Sequence, residues 1–180
     1  IIASYGRSGS TMLFNNIAKS LLPGKIFNKN LSFFIKSGIW SSFDKHKCSS
    51  KILYKTHFNY TFLKKNYLID DHTKIIYIIS KPTDTIYSTY TKASTSDNDW
   101  FNRHLANANI PQNHSINDLL NRDILNIEKR IFDFNNYKNI LTIKYEDLWE
   151  SENKISNFLN RRIFLEKYIK RDASLSDNKI

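Results

Sequence analysis

The first 22 residues constrain this chain more than any other stretch. An apolar run, Ile1–Tyr5, leads straight into Gly6-Arg7-Ser8-Gly9-Ser10-Thr11, and an amphipathic segment follows from Thr11 to Leu22. Met12, Leu13, Ile17, Leu21 and Leu22 fall on one helical face, and Pro23-Gly24 stops the helix. The reading is strand, glycine loop, helix. Such a turn presents backbone N–H groups at a helix N-terminus, where the helix dipole reinforces them and makes an anion site. Gly6 and Gly9 permit the tight turn, Ser8, Ser10 and Thr11 line it, and Arg7 adds a fixed charge. The loop lacks the Gly-Lys-Ser/Thr ending of loops that bind nucleoside triphosphates, which argues against a small-molecule kinase. No strand ends in an Asp placed to hold magnesium.

The rest of the chain alternates the same way. Ile52–His57, Lys74–Ile79 and Ile140–Tyr145 read as further strands. Lys81-Pro82 ends the third strand, and Thr83 or Asp84 is placed to cap a helix running to about Ala93. Leu31–Trp40 reads as a short helix and Ser41–Ser50 as a polar connection. Ser94–His114 reads as a polar loop with room for one helical turn, with Trp100 and His104 where an acceptor pocket could form. Ser115 is a plausible N-cap for a long helix over Ile116–Asn135, and Ser151–Leu159 reads as another helix. Strands alternating with helices predict a three-layer α/β fold around a central, mainly parallel sheet. One domain over residues 1–180 is expected, with residues 161–180 a basic C-terminal segment of open shape.

Charge and cysteine usage bound the partners. Lys and Arg outnumber Asp and Glu by 27 to 17, a net charge of +10. Such a surface favours anions, although a solvated, lysine-rich face accounts for as much. The single cysteine, Cys48, excludes an internal disulfide and a multi-cysteine metal site and fits a reducing, cytoplasmic setting. No apolar run approaches a membrane span of ~20 residues. The chain opens inside an apparent strand without a Met, so a trimmed start is expected. His46, His72, His104 and His114 have no metal-ligand spacing and read as surface residues.

In four motifs the sequence resembles the sulfotransferase family. Ser4-Tyr5-Gly6-Arg7-Ser8-Gly9-Ser10-Thr11 is similar to that family's 5′-phosphosulfate loop. Lys55-Thr56-His57, Lys81-Pro82-Thr83-Asp84 through Ser88-Thr89-Tyr90, and Tyr145-Glu146-Asp147-Leu148 follow in the family's order, over roughly residues 1–160. The resemblance implies a P-loop NTPase-like sulfotransferase fold and a metal-free transfer from 3′-phosphoadenosine 5′-phosphosulfate (PAPS), with 3′-phosphoadenosine 5′-phosphate (PAP) as product. It implies that Arg7, Ser8, Gly9, Ser10 and Thr11 hold the 5′ end of the donor and Ser88 the 3′-phosphate. It further implies that His57 is the base on a hydroxyl, less readily an amine, of a glycan or small molecule, and that Lys55 steadies the transferring group. The expected partners are the nucleotide donor and the acceptor, with no nucleic acid.

The departures are specific. Ser80-Lys81 stand where the family has Arg-Asn, so the usual 3′-phosphate arginine is missing. Lys81 is a substitute cation, though one step along a strand points to the other face. Met12 replaces an aromatic residue after the loop, and all four glycines lie before position 40, which removes the family's late glycine-rich segment. Arg161, Arg162, Lys167, Lys170 and Arg171 are candidates to replace its charge, and equally fit a solvated helix face. A second reading follows: a non-catalytic module of the same fold that binds nucleotides or polyanions. Glu146 and Asp147 read as capping and loop-fixing residues.

Overall fold

The computed structural model of the protein describes residues 1–5, 9–21, 53–66, 69, 72–96, 98–135 and 137–166. Four strands, β1 (Ile2–Ser4), β2 (Lys55–Thr56), β3 (Ile75–Ile79) and β4 (Ile140–Lys144), form an all-parallel sheet in the order β2-β1-β3-β4. Ile2 pairs with Lys55 on one side and Ile76 on the other, and Ile78 pairs with Ile143. Seven helices surround the strands among the described residues: α1 (Ser10–Leu21), α2 (Tyr60–Asn66), α3 (Pro82–Ser94), α4 (Asn98–Asn107), α5 (Asp118–Asn121), α6 (Ile127–Asn135) and α7 (Glu152–Leu159). A 3₁₀ turn, Leu148–Ser151, precedes α7. The α/β layering and the four parallel strands agree with the sequence; β2 is shorter than the expected Ile52–His57, only Lys55–Thr56, and Ile52 lies outside the described residues.

Strand side chains alternate between faces, so the sheet sorts its apolar residues into two cores. Ile2, Ile76, Ile78 and Ile143 pack with Leu13 and Ile17 of α1 and Ile155 of α7. Ala3, Ile75 and Tyr77 pack on the opposite side with Phe101 and Leu105 of α4 and Phe134 of α6. The Tyr77 and Phe134 rings stack with centroids 4.1 Å apart. Each fully buried Ile or Leu here contributes about 1.5–3 kcal/mol.

The chain leaves β1 for β2 on one side and then reaches β3 on the other. The carboxyl ends of β1 and β3 therefore flank a topological switch point, where open α/β sheets bind ligands.

Four expectations need correction. Helix α3 begins at Pro82, not after a Thr83 or Asp84 cap: Pro82 stands in its first turn, and Lys81 is the extended residue before it. The stretch read as loop contains α4; its flanks are polar, but Phe101 and Leu105 lie one turn apart and are buried. His104, read as a surface residue, is buried on the same helix and stacks on Trp100 at 4.9 Å. The long helix over Ile116–Asn135 is broken into α5 and α6. Asn126 adopts a left-handed φ of 49°, and the Asp123 carboxylate accepts the Ile127 N–H at 3.4 Å, which starts a new helix. Ser115 does sit at the start of this region, donating its N–H and Oγ–H to Asp118 at 2.7 and 3.0 Å. Leu31–Trp40 and Ser41–Ser50 lie outside the described residues.

Candidate active site

The turn from β1 into α1 is built as its small residues require. Gly9 has φ +74°, a left-handed value that glycine adopts without steric cost. Its carbonyl accepts the N–H groups of Met12 and Leu13 at 3.0 and 3.1 Å and so starts α1. The ring of Tyr145, from the segment after β4, lies over it. A Cβ at position 9 would come within 2.7 Å of Tyr145 Cδ2. Gly9 is thus needed twice, for its φ and for the close approach of an aromatic ring. Arg7 and Ser8, the early part of the loop, lie outside the described residues.

Three hydroxyls and two basic groups meet at this turn. Lys55 Nζ, from β2, donates to Thr11 Oγ1 at 2.5 Å. Ser4 Oγ donates to Ser10 Oγ at 2.9 Å. His57 Nδ1 lies 3.0 Å from the Ser4 carbonyl and 3.1 Å from Ser4 Oγ. A carbonyl only accepts, so Nδ1 carries the proton and Nε2 is the basic nitrogen. The chain His57 Nδ1–H to Ser4 and Ser4 Oγ–H to Ser10 then has one direction throughout. It leaves the Ser10 hydroxyl proton for a further acceptor.

Burial tunes both bases. Lys55 is 7% exposed. Desolvation lowers its pKa to about 8, and no carboxylate among the described residues offsets it. His57 is held down to about 3, by burial first and then by the charges of Lys55 and His104. The imidazole is neutral at physiological pH.

Other residues hold this arrangement, and sequence reasoning missed them. Arg130 of α6 is 5% exposed. It donates Nη1 to the His57 carbonyl at 2.8 Å and Nη2 to the Ala108 carbonyl. Burial lowers its pKa. A signal existed: the spacing Ile127, Arg130, Phe134 places it on the buried face. Tyr5, 1% exposed, gives its hydroxyl to the Ser80 carbonyl and accepts the Ser80 N–H at 2.9 Å. The two strand ends flanking the crevice are thereby tied together. The His104 ring stands 6.2 Å from that of His57.

The remaining sequence candidates are placed as follows. Ser88 is half-buried on α3, and Lys81 is exposed before it. Ser80 Oγ meets Thr85 Oγ1 of α3 at 2.5 Å. Glu146 and Asp147 are exposed, and the loop is fixed not by a carboxylate cap but by Ser151 Oγ donating to the Asp147 carbonyl at 2.8 Å. Beyond α7, Phe164 N–H donates to Ser20 Oγ at 2.9 Å and Glu166 N–H to Asn16 Oδ1 at 3.0 Å. This segment therefore runs along α1 towards its N-terminus. Arg161 and Arg162 are exposed, with Arg162 over the Phe164 ring; Lys167, Lys170 and Arg171 lie outside the described residues. Among the described residues, no helix is long and apolar enough to cross a membrane.

No curated protein matches the chain. Among solved structures, a mouse sulfotransferase complexed with PAP is similar at 21% identity and a TM-score of 0.47. The match covers 89% of this chain and 57% of that one, so the chain spans less than two thirds of that protein's length. The sulfotransferase domain model matches residues 1–172, and the chain belongs to that family.

Proposed function

We propose that the chain transfers a sulfuryl group from PAPS to a hydroxyl, with residues 4–11 and Lys55 on the donor and His57 on the acceptor. One observation carries this reading: a buried lysine, the N-terminal hydroxyls of α1 and a neutral histidine of defined tautomer converge at the adjoining carboxyl ends of β1 and β2. Family membership over residues 1–172 supports the same reaction class. Lys55 and the α1 N-terminus would stabilise the negative charge that builds on the leaving phosphate. His57 Nε2 would accept the acceptor's proton while the new O–S bond forms and the bond from sulfur to the leaving phosphate breaks, releasing PAP. An anionic donor beside His57 would raise its affinity for that proton and strengthen it as a base.

Ser88 is proposed for the 3′-phosphate. Cationic help would come from Lys81 or from the basic segment after α7, which approaches along α1. The second reading, a nucleotide-binding module without turnover, is favoured by Ser80, which offers a hydroxyl already engaged by Thr85 where the family has an arginine. Calorimetry with PAP and with adenosine 5′-phosphate, alongside transfer of radiolabelled sulfate from PAPS to a panel of hydroxyl acceptors, separates the two. Transfer with a preference for PAP supports the enzyme. PAP binding without transfer to any acceptor supports the module, and no nucleotide binding removes both.

A further inference from the structure

The way α4 ends leaves a carbonyl to be claimed. Asn109 takes a left-handed φ of 55°. Ile110 N–H then donates back to the Leu105 carbonyl and Asn109 N–H to the Ala106 carbonyl, both at 2.9 Å. This closure fixes the helix end but does not engage the Ala108 carbonyl, which lies at the negative end of the helix dipole. Arg130 of α6 takes it. Nη2 donates to the Ala108 carbonyl while Nη1 donates to the His57 carbonyl at 2.8 Å. The planar guanidinium is a bridge from the end of α4 to the residue that follows β2.

The same helix meets His57 again, ring to ring. His104 lies one turn before Ala108, whose N–H donates to the His104 carbonyl at 3.3 Å. The His104 ring stacks on Trp100 at 4.9 Å and stands 6.2 Å from the His57 ring. The base is thus held at its Nδ1 by Ser4, flanked by His104, and held at its backbone by Arg130. Arg130 keeps its charge although it is 5% exposed, because Asp123 and Asp133 oppose the loss of its proton. Both carboxylates line, with Arg130, a cavity of about 470 Å³.

We infer that Arg130 is a positioning residue for sulfuryl transfer: it locks the end of α4 to the His57 backbone and so keeps the imidazole between Ser4 and His104, with Nε2 presented to the acceptor hydroxyl. The inference rests on the proposed function, in which His57 is the base. Arg130 touches neither donor nor acceptor in this role; it acts through His57. A shift of about 1 Å in a reacting group costs up to about a hundredfold in rate. Loss of the bridge is therefore read in turnover and in the state of the His57 ring, not in nucleotide affinity.

The test uses the full chain with Arg130→Ala and Arg130→Lys. Lysine keeps the charge but lacks the planar fork that spans two carbonyls. Both variants should lower kcat about tenfold or more, with PAP affinity by calorimetry at its wild-type value. Guanidinium ion at millimolar concentration should restore turnover to Arg130→Ala, because the cavity leads to the vacated place and Asp123 and Asp133 attract the cation. Methylammonium, a point charge, should not. Nitrogen-15 NMR of the His57 imidazole gives a readout that needs no turnover. The wild type should show one tautomer, protonated on Nδ1; both variants should show a mixture, and guanidinium should return Arg130→Ala to one. Wild-type kcat in the variants, a loss that guanidinium does not restore, or an unchanged single tautomer would overturn the inference. Should Arg130→Ala not fold, Arg130→Lys decides alone by its kcat and its His57 spectrum. A wild-type chain that transfers sulfate to no acceptor would strike the proposed function instead, and the ring spectra would still decide whether Arg130 positions His57.

Discussion

His57 gives its Nδ1–H to Ser4, so any proton it takes in a transfer must go to Nε2. His57→Ala should lower turnover about 10²–10⁴-fold, the share of a positioned base. PAP affinity should hardly move, because the partners proposed for the donor lie on α1, β2 and α3. A variant that turns over at the wild-type rate would place the base elsewhere. Lys55 adds a pH signature. Its pKa of about 8 predicts that kcat/KM falls as pH rises through about 8, when the free enzyme loses that charge. Lys55→Arg, charged at every working pH, should move the falling limb upward; a limb that stays at 8 in this variant belongs to another group. Gly9→Ala should destabilise the fold by roughly 1–2 kcal/mol for its left-handed φ alone. Contact with the Tyr145 ring adds to that cost. Tyr145→Ala in the same chain should recover only the second part, which chemical denaturation of the four-member mutant cycle reads directly.

At the scale of elements, the junction of β3 and α3 carries the family's largest departure. Ser80 Oγ faces Thr85, and Ser88 lies three residues further along α3 on the same side. An arginine at position 80 would therefore start from the wall on which Ser88 stands. Ser80→Arg should raise the preference for PAP over adenosine 5′-phosphate about tenfold or more, since a charge-assisted hydrogen bond contributes about 1.5–3 kcal/mol. An unchanged ratio of the two affinities would mean that the 3′-phosphate does not lie against α3. Much of this scale was legible in the sequence: the glycine loop, Pro82 and the apolar runs mark their own elements. Helix α4 was not, because its flanks are rich in Ser, Asp and Asn, and the buried pair Phe101 and Leu105 becomes a signal only against a neighbouring core. The break between α5 and α6 was hidden because Ile124 and Ile127 fit an unbroken helical period, while Asn126 takes a left-handed φ.

Across the whole molecule, the two perturbed bases tie stability to pH. The folded state holds His57 near 3, while an unfolded histidine titrates near 6.5. Between these values the unfolded chain binds the extra proton, so this site's contribution is lost as pH falls from about 6.5 towards 3. Lys55 acts in the alkaline window. Unfolded lysine stays protonated to about 10.5 and the folded one only to about 8, so stability at this site rises with pH between them. Urea midpoints against pH should show a steeper acid slope in the wild type than in His57→Ala. They should also show an alkaline rise that Lys55→Met lacks; parallel curves would mean that neither group is perturbed as described.

The sequence by itself determined the layer architecture, the glycine turn from β1 into α1, and the candidacy of Lys55 and His57. Periodicity and glycine placement are local, and the strand ends carry their motifs with them. Only the tertiary structure decided that Tyr5 reaches Ser80 and that Tyr145 covers Gly9. It alone decided that Arg130, remote in sequence, grips the backbone of His57. Those contacts join residues 73 to 136 positions apart. Their partners are chosen by which strands adjoin and which helix faces turn inward, and no local pattern in the chain records that choice.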